Sequence, residues 1–94
     1  MAQILIRVPT QEYAKWRPVF DDYAKVRQTG GSHGGRLFRN ADNPNDVFVL
    51  WDWDTMENAR QFFTSPGLRE TMQKAGVTGR PDVYYLDLVE KLTV

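Results

Sequence analysis

The 94-residue sequence contains no cysteine, a single histidine, His33, and no apolar run long enough to span a membrane. Without cysteine the chain has no disulfide, no thiolate nucleophile and no cysteine-ligated zinc or iron–sulfur centre. The chain also has no net charge, because twelve Lys and Arg residues balance twelve Asp and Glu residues. A surface that binds nucleic acid or an anionic membrane needs an excess of basic residues. We therefore predict no nucleic-acid partner and no membrane association.

The N-terminal segment, MAQILIRVP, has no basic region ahead of its short apolar run, so it does not look like a signal peptide. Since we find no targeting segment, we expect a cytoplasmic protein. Aromatic side chains are plentiful: five Phe, four Tyr and three Trp, which together with zero net charge exclude a disordered chain. Residues 1–94 are predicted to form one domain.

Four segments alternate between apolar and polar residues, as β-strands do. They comprise residues 2–8, 32–40, 46–54 and 82–90, and the turn-rich sequence ADNPN joins the middle two into a hairpin. The first, third and fourth strands carry apolar residues on both faces. Because two helices cover only one face of a four-stranded sheet, we predict a homodimer that buries sheet against sheet.

The first helical region carries a stripe of side chains at intervals of three and four residues. The stripe consists of Tyr13, Trp16, Phe20, Tyr23 and Arg27. Thr10 is the predicted N-cap, and Gly30 with Gly31 ends the region. At Pro18 we expect either a kink or the start of a second helix.

The second helical region lies between the third and fourth strands. Asp54 and Thr55 compete as its N-cap, and Ser65 before Pro66 predicts that a helix restarts there. The order of elements is then β-α-β-β-α-β. This order predicts an α+β, ferredoxin-like fold with a four-stranded antiparallel sheet and helices on one face.

Four blocks of the sequence carry a family resemblance that covers nearly the whole chain. They are EYAKWRPVFDDYAKVRQTGG, GGRLFRNADNPNDVFVLWDWD, ENARQFFTSPGLRETMQKAGV and PDVYYLDLVE. The chain resembles the dimeric α+β barrel superfamily, and within it the antibiotic biosynthesis monooxygenase-like proteins. The resemblance implies a pocket between sheet and helices in each protomer of a dimer. It also implies oxygenation of an aromatic or polyketide-like substrate without metal or flavin, so no cofactor is expected.

Three polar residues are the candidates for catalysis. His33 and Asp87 are candidate bases, and Arg36 is the candidate partner of a substrate anion. The alternatives are an exposed loop position for His33, an edge-strand charge for Arg36 and an ion pair across the dimer for Asp87. No spacing in the sequence matches a metal-ligand motif, so we predict no metal site.

Six aromatic residues are the candidates for substrate binding: Tyr13, Trp16, Phe20, Trp51, Trp53 and Tyr85. The alternative is that these side chains form the core. The glycine cluster at Gly30, Gly31, Gly34 and Gly35 follows a helix and precedes a strand, so a helix C-cap is favoured over a phosphate-binding loop. Two functions remain open: a cofactor-independent monooxygenase, or a non-catalytic homodimeric module that binds a small molecule.

Overall fold

The computed structural model describes residues 1–94 and contains four strands and four helices. In chain order they are β1 (Ala2–Pro9), α1 (Tyr13–Asp22), α2 (Ala24–Gly30), β2 (Ser32–Asn40), β3 (Asn43–Trp53), α3 (Met56–Phe63), α4 (Pro66–Lys74) and β4 (Asp82–Leu86). With each pair of successive helices counted as one helical region, this is the β-α-β-β-α-β order, and the ferredoxin-like α+β prediction is confirmed. None of the helices is long and apolar enough to cross a membrane.

The four strands form one antiparallel sheet in the order β2-β3-β1-β4. Because side chains alternate along each strand, register assigns every residue to one of two faces. The covered face, beneath the helices, includes the paired residues Ile4 and Trp51. The open face carries Leu5, Arg7, Arg36, Phe38, Phe48, Leu50, Tyr84 and Leu86. The helices therefore cover one side of the sheet only.

The core lies between the covered face and the helices. Ile4, Val47 and Trp53 are the largest side chains with no exposed surface, and Phe62 and Leu68 from α3 and α4 pack against them. Burial of one such aromatic or aliphatic side chain stabilises the fold by about 1.5–3 kcal/mol. This layer of side chains holds the sheet and helices together.

The break in the first helical region lies at Tyr23, five residues beyond the predicted position. Pro18 sits inside α1, where the absence of its N–H removes a single hydrogen bond to the preceding turn. At Tyr23 the chain leaves helical geometry, and α2 begins at Ala24. A second helix does follow, as one of the two alternatives at Pro18 expected, but it begins at Ala24 and not near Pro18.

The start of α1 also differs from the prediction, because Thr10 is not its N-cap. Thr10 is buried at the end of the sheet, where it bridges to Val77 and its hydroxyl donates to the carbonyl of Asn45 over 2.7 Å. The Oδ1 atom of Asn45 instead accepts from the backbone N–H of Tyr13 at 2.9 Å. A residue 32 positions away along the chain thus caps the helix, and local sequence cannot indicate such a partner.

Of the two caps proposed for the third helix, Thr55 is the one observed. Its side chain accepts from the N–H of Asn58, while Asp54 accepts from the N–H of Thr55 itself.

At α2 the glycine cluster is a C-cap, since Gly31 adopts a φ of 120°. A Cβ on Gly31 would lie only 2.8 Å from Nε1 of Trp53, so only glycine fits there.

Strand β4 ends at Leu86, four residues before the predicted end. Leu86 pairs with Gln3 of β1, and this is the last pair between the two strands. Residues 87–94 lie outside regular elements, Asp87 among them.

Candidate functional site

A cavity of about 50 Å³ lies between the covered face and the helices. Thirteen of its fifteen lining residues are hydrophobic. The lining residues are Ile6, Val8, Trp16, Val19, Phe20, Tyr23, Arg27, Val49, Trp51, Phe62, Phe63, Leu68, Thr71, Met72 and Ala75. An apolar lining of this kind favours an apolar or aromatic ligand.

Aromatic rings form one wall of the cavity. Trp16 and Phe20, one turn apart on α1, have ring centroids 4.6 Å apart, and Phe20 lies 5.8 Å from the ring of Trp51 on β3. The four-residue spacing places the first two rings on one side of α1, and strand alternation turns Trp51 toward them. Stacked rings 4.5–7 Å apart are in the favourable range for aromatic contacts.

Arg27 is the charged residue of this lining. Its guanidinium carbon lies 4.0 Å from the centroid of the Phe20 ring and 5.1 Å from that of Trp51. Its Nη1 donates to the carbonyl of Phe20 at 2.6 Å. Burial lowers the pKa of the Arg27 guanidinium, and the charge of Asp21 opposes that shift. Arg27 forms no ion pair within the chain.

A broader cleft of about 800 Å³ adjoins the cavity between α4 and β4. Ile6, Phe63, Leu68 and Met72 line both spaces. The cleft is more polar, with Arg69, Gln73, Arg80 and Asp82 along it. The cavity alone is smaller than the roughly 300–1,000 Å³ of ordinary ligand sites, whereas the cleft is within that range. An aromatic ligand therefore needs part of the cleft, or movement of the side chains that line both spaces, in order to fit.

Three of the six predicted substrate-binding residues, Trp16, Phe20 and Trp51, line the cavity, and Tyr85 lines the cleft. Trp16 and Trp51 are also buried members of the core, as the alternative predicted. Trp53 belongs to the core, where its Nε1 donates to the carbonyl of Gly30 at 2.9 Å. Tyr13 lies outside both spaces, beneath the guanidinium of Arg39 at 4.2 Å.

The three predicted catalytic residues lie apart from this site in the single chain. His33 and Arg36 are exposed on β2, and the pairing of Arg36 with Leu50 assigns it to the open face. Asp87 is exposed beyond the end of β4. None of them lines the cavity or the cleft. Their roles in catalysis stay predictions.

Arg27 is the site residue that sequence analysis left without a function. The signal was present, since Arg27 continues the aromatic stripe of the first helical region at the expected spacing. A charged residue on an apolar helix face is the pattern that identifies it.

No group of three or more His, Asp or Glu side chains lies close enough together to hold a metal ion.

Several solved structures share this fold. A Bordetella bronchiseptica protein described as a candidate antibiotic biosynthesis monooxygenase superposes with a TM-score of 0.78 at 20% identity, over 95% of this chain and 97% of that one. SnoaB, a cofactor-independent oxygenase from Streptomyces nogalater, has a TM-score of 0.73 at 18% identity, over 99% and 97%. The monooxygenase of gene ActVA-Orf6 from Streptomyces coelicolor, in complex with nanaomycin D, has a TM-score of 0.70 at 14% identity, over 99% and 91%.

No protein-family model matches the chain, and no curated protein matches it. The similarity to the solved structures covers nearly the whole chain, while the sequence identities are low. The chain therefore has the fold of antibiotic biosynthesis monooxygenase-like proteins, as the sequence resemblance implied.

Proposed function

We propose that the protein is a cofactor-independent monooxygenase-like protein that binds a small aromatic or polyketide-like substrate in the cavity and its adjoining cleft. The observation that carries this proposal is the aromatic wall of Trp16, Phe20 and Trp51 around an apolar space. A planar ring system stacks favourably on such a wall. Two proteins of the same fold support the reaction class, a cofactor-independent oxygenase and a monooxygenase bound to nanaomycin D.

The proposed reaction begins with loss of a proton from a phenol or from an activated CH₂ group of the substrate. The resulting anion transfers electrons to dioxygen and forms a carbon–oxygen bond. At a CH₂ carbon, one oxygen atom stays as a carbonyl, and the other leaves as water with the two hydrogens that the carbon held. His33 and Asp87 stay the proposed bases, although neither lines the site in one chain.

Oxygen uptake by chelator-treated protein tests this function, with anthrones, naphthols and hydroquinones as the panel. Val19→Phe narrows the cavity from α1 and is expected to abolish uptake, because Val19 lines it. Val26→Phe is the matched control, since Val26 is 46% exposed on α2 outside the lining. Uptake no faster than in buffer for every panel member would overturn the oxygenase proposal. Loss of uptake in His33→Ala or Asp87→Asn would identify the base.

The alternative is a non-catalytic module that binds a small molecule at the same site. The cavity lining contains no carboxylate and no imidazole, which favours this alternative. It predicts that a panel member raises the midpoint of thermal unfolding and quenches tryptophan fluorescence without oxygen uptake.

We also propose that the protein forms a homodimer through the open face. Phe38 is 47% exposed, Tyr84 52% and Leu86 39%, and Leu5 and Leu50 lie half-buried between them. The four strands average about eight residues, and at about 3.4 Å per residue and 4.8 Å between strands they cover roughly 540 Å² per chain. Two such faces reach the roughly 1,000 Å² of total buried area that a specific interface needs. A second copy of this chain offers the matching apolar surface.

A further inference from the structure

We propose that Arg27 selects an anionic aromatic ligand, by pairing its guanidinium with a carboxylate or phenolate oxygen of the molecule in the cavity. This inference rests on the proposed binding of a small aromatic molecule, and it names the ligand class. The two anions share one chemistry, a negatively charged oxygen attached to an aromatic system. A guanidinium recognises such oxygens with parallel N–H donors.

The placement of Arg27 is the first argument. It lines a cavity whose other residues are hydrophobic apart from Thr71, and the hydroxyl of Thr71 already donates to the carbonyl of Gly67 at 2.9 Å. A charge in apolar surroundings is unfavourable unless it is paired. The carboxylate of nearby Asp21 is occupied by Arg17 at 2.9 Å. Asp21 therefore acts on Arg27 only through its charge, and no carboxylate of the chain forms an ion pair with Arg27.

The donors of Arg27 are the second argument. A guanidinium has five N–H donors, and here one hydrogen bond is made, from Nη1 to the carbonyl of Phe20. The rings of Phe20 and Trp51 contact its guanidinium group and restrict its motion. The group is thus held beside the aromatic wall with donors left over. A ring stacked on that wall would bring its own charged oxygen within reach.

Two other arginines provide the contrast. Arg39 lies over Tyr13 at 4.2 Å, and Arg60 lies over Tyr85 at 4.3 Å. Both are exposed, and neither lines the cavity or the cleft. Arg39 also donates to a backbone carbonyl, that of Pro44 at 2.9 Å. It reproduces the contacts of Arg27 outside the site, so Arg39→Met is a matched control.

Calorimetric binding of 1-naphthoate and of its neutral analogue 1-naphthamide tests the inference. We expect the wild-type protein to bind naphthoate at least about tenfold more tightly, as one charge-assisted hydrogen bond provides. In Arg27→Met the two affinities should fall within about twofold of each other, with naphthamide binding retained. Arg39→Met should keep the wild-type preference. If Arg27→Met does not fold, Arg27→Gln serves for the same comparison.

Each remaining outcome overturns the inference in a distinguishable way. Equal affinities for the two probes in the wild-type protein, or a preference that survives in Arg27→Met, would refute the role of Arg27 while leaving the aromatic site intact. Loss of the preference in Arg80→Met but not in Arg27→Met would move the anion site to the cleft. Binding of neither probe would refute the proposed aromatic site itself, and the inference with it.

Discussion

The two faces of the sheet have similar alternating sequences and very different surroundings. On the covered face, Ile4 and Trp53 have no exposed surface, because helices pack over them. On the open face, residues of the same strands, such as Leu5 and Leu50, have no layer above them. A large apolar sheet face that is left open to water is rare on a monomeric protein. The covered face thus stabilises the single chain, whereas the open face would stabilise an assembly of chains.

Arginine shows the same contrast between the faces. Arg7 on the open face pairs with Asp46 at 2.9 Å and with Asp82 at 3.6 Å. Arg27 on the helix side of the sheet has two aromatic rings and one carbonyl as neighbours. The first arginine has its countercharges within the fold, so it stabilises structure. The second forms no ion pair, and for that reason we assign it to a ligand.

The largest expected effect is on the covered face. Trp53→Ala removes a fully buried ring and its hydrogen bond to Gly30, so the free energy of unfolding should fall by about 3–5 kcal/mol. Urea unfolding followed by circular dichroism measures the change. The loss should be the same at every protein concentration, because Trp53 acts within one chain. Phe48→Ala on the open face is the contrasting variant. Its loss of unfolding free energy relative to wild type should grow with protein concentration, because Phe48 lies in the proposed dimer interface. A concentration-dependent loss for Trp53→Ala would contradict this division of roles.

The next effect concerns association. Leu50→Glu places a charge at the centre of the open face, opposite Leu5 in the pairing of β3 with β1. We expect light scattering to give twice the 10.9 kDa chain mass for the wild-type protein and the mass of one chain for this variant. Its circular dichroism should stay that of the folded chain. A wild-type mass near one chain at micromolar concentration would refute the homodimer.

The smallest effect is the pH dependence of one ion pair. The hydrogen bond from Arg7 holds the pKa of the Asp46 carboxyl below its usual value. Such a group adds stability at pH values above its unfolded-state pKa of about 3.9, and the gain is lost as pH falls through the folded-state pKa. Asp46→Asn should therefore be less stable than wild type near pH 7, with the gap closing toward pH 2. Urea midpoints across this range measure the gap, and a constant gap would contradict the argument.

Much of the fold could be predicted from the sequence because its signals are local. The alternation in β1 and β3 and the Ser65-Pro66 helix start depend on residues close together in the chain. The errors arose where a distant partner decided the outcome. Asn45, 32 positions along the chain from Tyr13, caps α1 in place of Thr10.

The candidate site was predicted in part for the same reason. The stripe of α1 and the alternation of β3 placed Trp16, Phe20 and Trp51 on faces that meet around the cavity. Trp51 and Trp53 share a strand face and both belong to the buried core, but only Trp51 lines the cavity, because Trp53 lies against Gly30. No local pattern distinguishes these two tryptophans, since only the packing of α2 and α3 separates them.

By itself, the sequence determined the class of fold, the aromatic stripe and the presence of two apolar sheet faces, because side-chain periodicity follows directly from backbone geometry. Tertiary structure alone decided which face the helices cover, that a cavity forms there, and that Arg36 lies on the opposite face from Arg27. These outcomes depend on how elements distant in the chain pack together. Packing is a property of the whole molecule, and it leaves Arg27 beside the aromatic rings without an ion pair.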